Sequence, residues 1–238
     1  MAIVKPFCGI RYDLSKTGTD LSALACPPYD IIPPAWQKQL YQRHPLNFIR
    51  VDLNQAEPGD APKSVYDRSA EIWQRWLTEG ILKRDDKPCF YLYRQTFTAT
   101  VGGLDNRYTR TGLVASVHCT CSEQESVLPH EKTLSAPVED RYSLATKIGT
   151  FTGQVFLLYT DPNRTVEKAT ESVIEAGPWA RFLDDDSVEH CLYVVDDPWT
   201  IGLLEKALSD KTCQIADGHH RWETGRRIWS ERDPDGNR

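Results

Sequence analysis

No stretch of the 238-residue chain approaches the ~20 consecutive apolar residues needed to span a bilayer, which argues against a membrane helix. The opening Met-Ala-Ile-Val-Lys-Pro-Phe lacks the charged-then-apolar pattern of a secretory leader, so the cytoplasm is the expected compartment. No Gly-x-x-x-x-Gly-Lys-Ser/Thr occurs, which excludes a P-loop, and there is neither an internal repeat nor a low-complexity tract. Positive charge is not in excess: 28 Lys and Arg against 34 Asp and Glu leave a net charge of -6. That balance, with a pI near 5.5, excludes a surface built to coat nucleic acid, while leaving room for a small anion site made of local donors. The seven cysteines are odd in number and scattered, as expected where thiols stay reduced. Cys119 and Cys121 stand two apart, and no second pair completes a zinc site.

What is present reads as an ordinary globular chain, 26% charged and 40% apolar. The N-terminal stretch is irregular and ends in Pro27-Pro28-Tyr29-Asp30, where consecutive prolines hold the backbone extended. Pro34 suits the first turn of a short helix over 35–44. Phe48, Val51 and Leu53 suggest a strand. The clearest helix runs over 63–82, with Val65, Ile72, Trp73, Trp76 and Leu77 at helical spacing and Gly80 marking its end. Strands over 89–98 and 108–118 flank Gly102-Gly103 and Asp105-Asn106, the chemistry of a hairpin turn. Further strands are expected at 154–159, 191–195 and 213–216, and helices at 166–176, 200–209 and 221–230. Asp140-Arg141-Tyr142 opens one more helix, with Arg141 in a structural ion pair. The fold class is α+β, with mixed sheets and flanking helices, divided into an N-terminal hairpin-bearing region (1–120) and a second region (121–238).

Two motifs carry chemistry. In Ala216-Asp217-Gly218-His219-His220-Arg221 a short apolar strand runs into a turn that opens a helix. Asp217 is a natural N-cap, and Gly218 lets the backbone approach a ligand closely. The unpartnered first-turn N–H groups and the positive end of the helix dipole suit a phosphate. His219, His220 and Arg221 add three cation-capable donors that conflict with that dipole unless an anion is bound. An ordinary turn with two solvated histidines would explain Asp217 and Gly218, but not the clustered basic groups. In Leu128-Pro129-His130-Glu131-Lys132-Thr133, Pro129 ends a strand and leaves His130 and Glu131 on a loop. Glu131 is a candidate base for a hydroxyl proton. On spacing alone, Glu131 and Lys132 serve equally well as solvated charges. Tyr29 and Asp30 are candidates for a wall of the same cleft, with a rigid surface turn as the alternative.

Taken in order, Val4-Lys-Pro-Phe, Pro27-Pro-Tyr-Asp-Ile31, Tyr93-Arg-Gln95, Leu128 to Thr133, Asp140-Arg141 and Ala216 to Arg221 resemble the domain-of-unknown-function 1015 family across nearly the whole chain. The second half is similar to the ParB/sulfiredoxin superfold, in which the two motifs form one nucleotide site. Its free serine kinases are functional relatives that this resemblance points to. The resemblance implies an adenine nucleotide (ATP or ADP) with phosphates on Asp217 to Arg221, and Mg²⁺ reached through Asp217 or Glu131. It also implies a glutamate base, Glu131, with His130 beside it. Sulfiredoxin has a cysteine where this chain has His219, so its reaction is not expected. The arginine-rich box of partition proteins is missing too. Family members continue past the second motif, so the chain looks C-terminally truncated. The expected function is nucleotide-dependent phosphoryl transfer to the hydroxyl of a small metabolite, with L-serine the leading acceptor and neither nucleic acid nor membrane as partner. The alternatives are a non-catalytic nucleotide sensor and a metal-dependent hydrolase using His219, His220, His130 and Glu131. Adjacent helical histidines point about 100° apart, which makes joint ligation by His219 and His220 awkward.

Overall fold

The computed structural model describes residues 2–119 and 126–232. Cys121 and the Asp-Pro-Asp-Gly-Asn turn signal near the end of the sequence lie outside them. In chain order the elements begin with β1 (Val4–Lys5), β2 (Ile10–Tyr12), α1 (Leu14–Thr17), a 3-10 turn at Tyr29–Ile31, α2 (Pro34–Arg43), α3 (Ile49–Asp52), α4 (Ser64–Thr78) and β3 (Leu82–Arg84). The long hairpin β4 (Phe90–Val101) and β5 (Leu104–Val114) is followed by β6 (Ser116–Val117), β7 (Val127–Leu128), α5 (Ser135–Ile148), β8 (Phe156–Leu158) and α6 (Thr165–Glu175). The chain continues through β9 (Ala180–Leu183), β10 (Glu189–Val195), α7 (Pro198–Leu208), β11 (Cys213–Asp217) and α8 (His219–Arg232). The fold is α+β, with mixed sheets and flanking helices.

The largest sheet is antiparallel in the order β5-β4-β10-β9, and it draws strands from both sides of residue 120. One of its faces packs into the main core through Phe90, Leu92, Cys191, Tyr193 and Val195, together with Leu204 of α7 and Ile215 of β11. A second core gathers Val51, Trp73, Trp76, Leu82, Leu144 and Ile148, and so seats α4 against α5. A three-stranded sheet in the order β7-β11-β8 has β7 parallel and β8 antiparallel to β11.

Local chemistry moved several boundaries. The hairpin turn is Gly102-Gly103 alone, both with positive φ (63° and 82°), and Asp105-Asn106 lie within β5. A two-residue turn of that kind matches strand twist, so pairing runs uninterrupted from Val101↔Leu104. Helix α4 stops at Thr78, short of residue 82. Gly80 (φ 67°) and Ile81 return their N–H groups to Leu77 and Trp76 in a Schellman cap.

The strand expected at Phe48, Val51 and Leu53 is instead the short helix α3. The cause is Asn47, fully buried, whose Oδ1 accepts the Ile49 N–H at 3.0 Å while its Nδ2 donates to the carbonyls of Ala23 (2.7 Å) and Ala25 (3.0 Å). A side chain that binds backbone two residues on offers the chain a turn, and here it overrides the β-branched preference of Ile49 and Val51. Asp140-Arg141-Tyr142 lie in the middle of α5 rather than at its start.

Candidate active site

Strands β7 and β11 run parallel with Cys213↔Val127 and Gln214↔Leu128 in register, so both chains leave the sheet at the same edge. From β7 the chain enters the loop Pro129 to Leu134. From β11 it turns through Gly218 into α8. The two motifs therefore meet, although they are separated by more than 80 residues of sequence. The Nε2 of His219 accepts the His130 N–H at 3.3 Å, and the Nε2 of His220 accepts the Leu134 N–H at 3.2 Å. The His130 and His219 rings meet edge to face, 4.5 Å between centroids.

With Nε2 of His219 accepting, the neutral ring carries its proton on Nδ1, which lies 3.2 Å from Glu131 Oε1. His219 is only 4% exposed, whereas the Glu131 side chain is 54% exposed. A buried imidazole thus stands beside one oxygen of an accessible carboxylate, a contact at ion-pair distance. His219 and His220 were expected as phosphate donors; here each imidazole accepts a backbone N–H from the loop. Their geometry fastens the loop to the first turn of the helix.

Helix α8 begins at His219, so Gly218, not Asp217, stands immediately before it. Asp217 ends β11, and its Oδ2 accepts from Arg221 Nη2 at 2.6 Å rather than from the helix N-terminus. Arg221 also donates to the Gln154 carbonyl. Gly218 has φ 92°, and a Cβ there would stand 3.1 Å from Arg221 Nε. Gly153 is similarly close, with a Cβ position 3.3 Å from Arg221 Cδ and Nη1. The guanidinium therefore packs against both glycines, and at Gly218 the positive φ adds a second reason for glycine. Gly153 and Gln154 were not singled out from sequence, where one glycine in a loop is the sole signal.

Arg141 is 7% exposed and forms the structural ion pairs expected of it, with Asp52 Oδ1 (3.1 Å) and Asp140 Oδ2 (2.6 Å). Tyr29 packs its ring on that guanidinium, 3.8 Å from Arg141 Cζ to the centroid. Burial pushes the Tyr29 hydroxyl pKa up, and the charges of Arg141 and, to a smaller degree, Arg221 pull it down. Tyr29 thus packs on Arg141, with Asp30 exposed beside it. Thr152, next to Gly153, donates to Asp52 Oδ1 at 2.5 Å.

Donor atoms of His130, Glu131 and His219 all lie within 4.8 Å of one another, the geometry of a potential metal cluster. His220 is not in that cluster; its Nε2 is on Leu134. The Nδ1 of His219 would have to give up its proton to ligate an ion, and Nε2 would then lose the His130 N–H.

No helix among the described residues is long and apolar enough to cross a membrane. A family model described as "Protein of unknown function (DUF1015)" matches residues 4–238. No curated protein and no solved structure matches the chain.

Proposed function

The chain belongs to the DUF1015 family, whose description assigns no activity, and from the site itself we propose a nucleotide-dependent phosphotransferase acting on the hydroxyl of a small metabolite. The observation that carries this reading is the Glu131–His219 contact at the N-terminus of α8, which sets a carboxylate base beside a turn suited to anions. The unpartnered first-turn N–H groups of α8 suit a phosphate, and the Arg221 guanidinium packs against Gly218 beside them. Arg221 adds a cationic edge whose charge Asp217 partly offsets.

Glu131 would accept the acceptor's hydroxyl proton on the oxygen that His219 does not face. The hydroxyl oxygen then bonds to the terminal phosphorus as the bond to the bridging oxygen breaks, and the nucleotide leaves with that electron pair. His219 Nδ1, 3.2 Å from Oε1, would help to orient the carboxylate for this task. Asp217 and Glu131 are exposed oxygen donors, the type that suits Mg²⁺, and the ion would neutralise phosphate charge when bound. ATP or ADP is the donor class this reading takes, L-serine the first acceptor to try, and the cytoplasm the compartment. No nucleic-acid partner is invoked.

The second reading, a metal-dependent hydrolase, rests on the His130–Glu131–His219 cluster. One experiment separates the two. Calorimetry with ATP or ADP and Mg²⁺, and mass spectrometry of a phosphorylated acceptor, are run on wild type and Glu131→Gln. The phosphotransfer reading expects intact nucleotide affinity and turnover cut by about 10²–10⁴. Tight binding of Zn²⁺ or Mn²⁺ that Glu131→Gln abolishes, with no nucleotide bound by either protein, favours the hydrolase.

A further inference from the structure

Outside this site, the motif Tyr93-Arg94-Gln95 on β4 has no part in the proposed chemistry. Tyr93 is 36% exposed, and its hydroxyl lies 2.5 Å from His190 Nδ1. His190, on β10, is 8% exposed, and its Nε2 lies 2.9 Å from Asp184 Oδ2. Asp184 is itself fixed, its Oδ1 accepting the backbone N–H groups of Asp186 (3.0 Å) and Val188 (2.9 Å). Phe182 stacks on the His190 ring at 4.7 Å and 11°, and Tyr93 stacks on it at 5.8 Å and 18°. The imidazole is therefore held in plane and direction by three neighbours, Tyr93, Asp184 and Phe182.

The proton assignment follows from these partners. An ionised Asp184 can only accept, so Nε2 carries the ring proton and Nδ1 is left to accept from the Tyr93 O–H. Burial works upward on the Asp184 pKa but is outweighed by the His190 and Val188 hydrogen bonds, which keep the carboxylate below the ordinary range. We infer that Tyr93 is a nucleophilic tyrosine, with His190 as its base and Asp184 as the positioning residue, reactive toward activated acyl esters. A carboxylate–imidazole–hydroxyl chain of this order activates nucleophiles in general, independent of fold.

A cavity of about 430 Å³ lies farther along the same sheet, lined by Gln95, Phe97, Arg110, Asp186 and Val188 among others but not by Tyr93, His190 or Asp184 themselves. Gln95 pairs in register with His190 and so shares its face. The mixed apolar and polar lining suits an uncharged acyl group carrying a polar end. In the step itself, Tyr93 Oη bonds to the carbonyl carbon and its proton passes to His190 Nδ1. The ester C–O bond breaks, the leaving oxygen keeps the bond's electron pair and takes the proton back from His190 to depart as the alcohol, and the acyl group ends as a phenyl ester on Tyr93. Burial pushes the Tyr93 pKa up to about 12, so the phenol keeps its proton until His190 takes it.

Tyr108 is an internal control. It is 38% exposed, close to Tyr93, and its ring neighbour is Phe97 rather than a histidine. The whole protein is treated with p-nitrophenyl acetate, and acetylation of each tyrosine is followed by peptide mass spectrometry. Tyr93 is expected to be acetylated about 10²-fold faster than Tyr108, the scale of general-base assistance. His190→Gln and Asp184→Asn should bring that ratio close to one. Acetylation of Tyr93 no faster than Tyr108 in the wild-type protein overturns the inference. That comparison needs no variant, so a misfolded His190→Gln does not blunt it.

Discussion

Arg141→Met removes a charge that the interior has been arranged around. Its Nη1 reaches both the backbone oxygen and Oδ1 of Asp52 at 3.1 Å, its Nε reaches Asp140 Oδ2 at 2.7 Å, and Tyr29 covers its face. At 3.1 Å and an effective dielectric near 20, the Asp52 pair alone corresponds to roughly 5 kcal/mol of Coulomb attraction before desolvation. Methionine fills much the same volume but leaves Asp52, 8% exposed, with Thr152 as its remaining side-chain donor. Orphaning one partner of a buried pair costs about 3–5 kcal/mol, a large share of the 5–15 kcal/mol typical of a domain. Urea unfolding followed by tryptophan fluorescence should show a lower midpoint with an unchanged slope. Lys147→Met is the companion: its pair with Asp67 is half exposed on both sides, and the loss should stay below about 1 kcal/mol. Equal losses in the two variants, or a loss under about 1 kcal/mol for Arg141→Met, would refute the argument that burial decides the cost.

Gly218→Ala places a Cβ at φ 92° and 3.1 Å from Arg221, so it should cost about 1–2 kcal/mol in thermal unfolding and loosen Arg221 from Asp217; an unchanged melting temperature would count against it. Arg221→Ala should weaken nucleotide binding by roughly 1.5–3 kcal/mol in calorimetry, and Arg221→Lys should recover only part of this, because lysine restores charge without the forked donors. Asp85 gives a pH signature. Burial raises its pKa, but hydrogen bonds from Arg11 and Tyr91 outweigh that and hold it below the ordinary carboxylate value. A folded pKa below the unfolded one means stability that is present above about pH 4 and lost as pH falls through the lowered value. Asp85→Asn should therefore flatten the acid limb of a stability–pH curve between those two values, and an acid limb identical to wild type would contradict it.

Periodicity made the long elements legible. The Trp73–Trp76 stripe of α4, the hairpin around Gly102-Gly103, and the strand-to-helix turn at Gly218 all announce themselves locally. What stayed hidden depends on partners far away in sequence. Asn47 forces α3 because two carbonyls at Ala23 and Ala25 hold it, and nothing near Phe48 says so. Strand β9 alternates inward Ala180 and Phe182 with exposed Arg181 and Leu183, but over four residues that pattern is too short to read without the Leu21, Leu24 and His190 partners. At the candidate site, the residue types were readable and their roles were not. Two adjacent histidines suggest donors to an anion, yet their ring nitrogens accept from a loop more than 80 residues earlier. The Asp184–His190–Tyr93 chain is invisible in sequence because His190 and Tyr93 come together only through the pairing of β10 with β4.

The fastening of the Pro129–Leu134 loop by His219 and His220 also bears on when the protein can become competent. The two bonds close spans of 89 and 86 residues, and they cannot form until β11 has docked beside β7. Contacts of such separation are entropically late, since the chain between them must already be compact. Glu131 therefore acquires its partner only once β7 and β11 are paired. A partly folded or still-emerging chain carries an unaligned carboxylate, and the candidate site comes into being together with the finished structure.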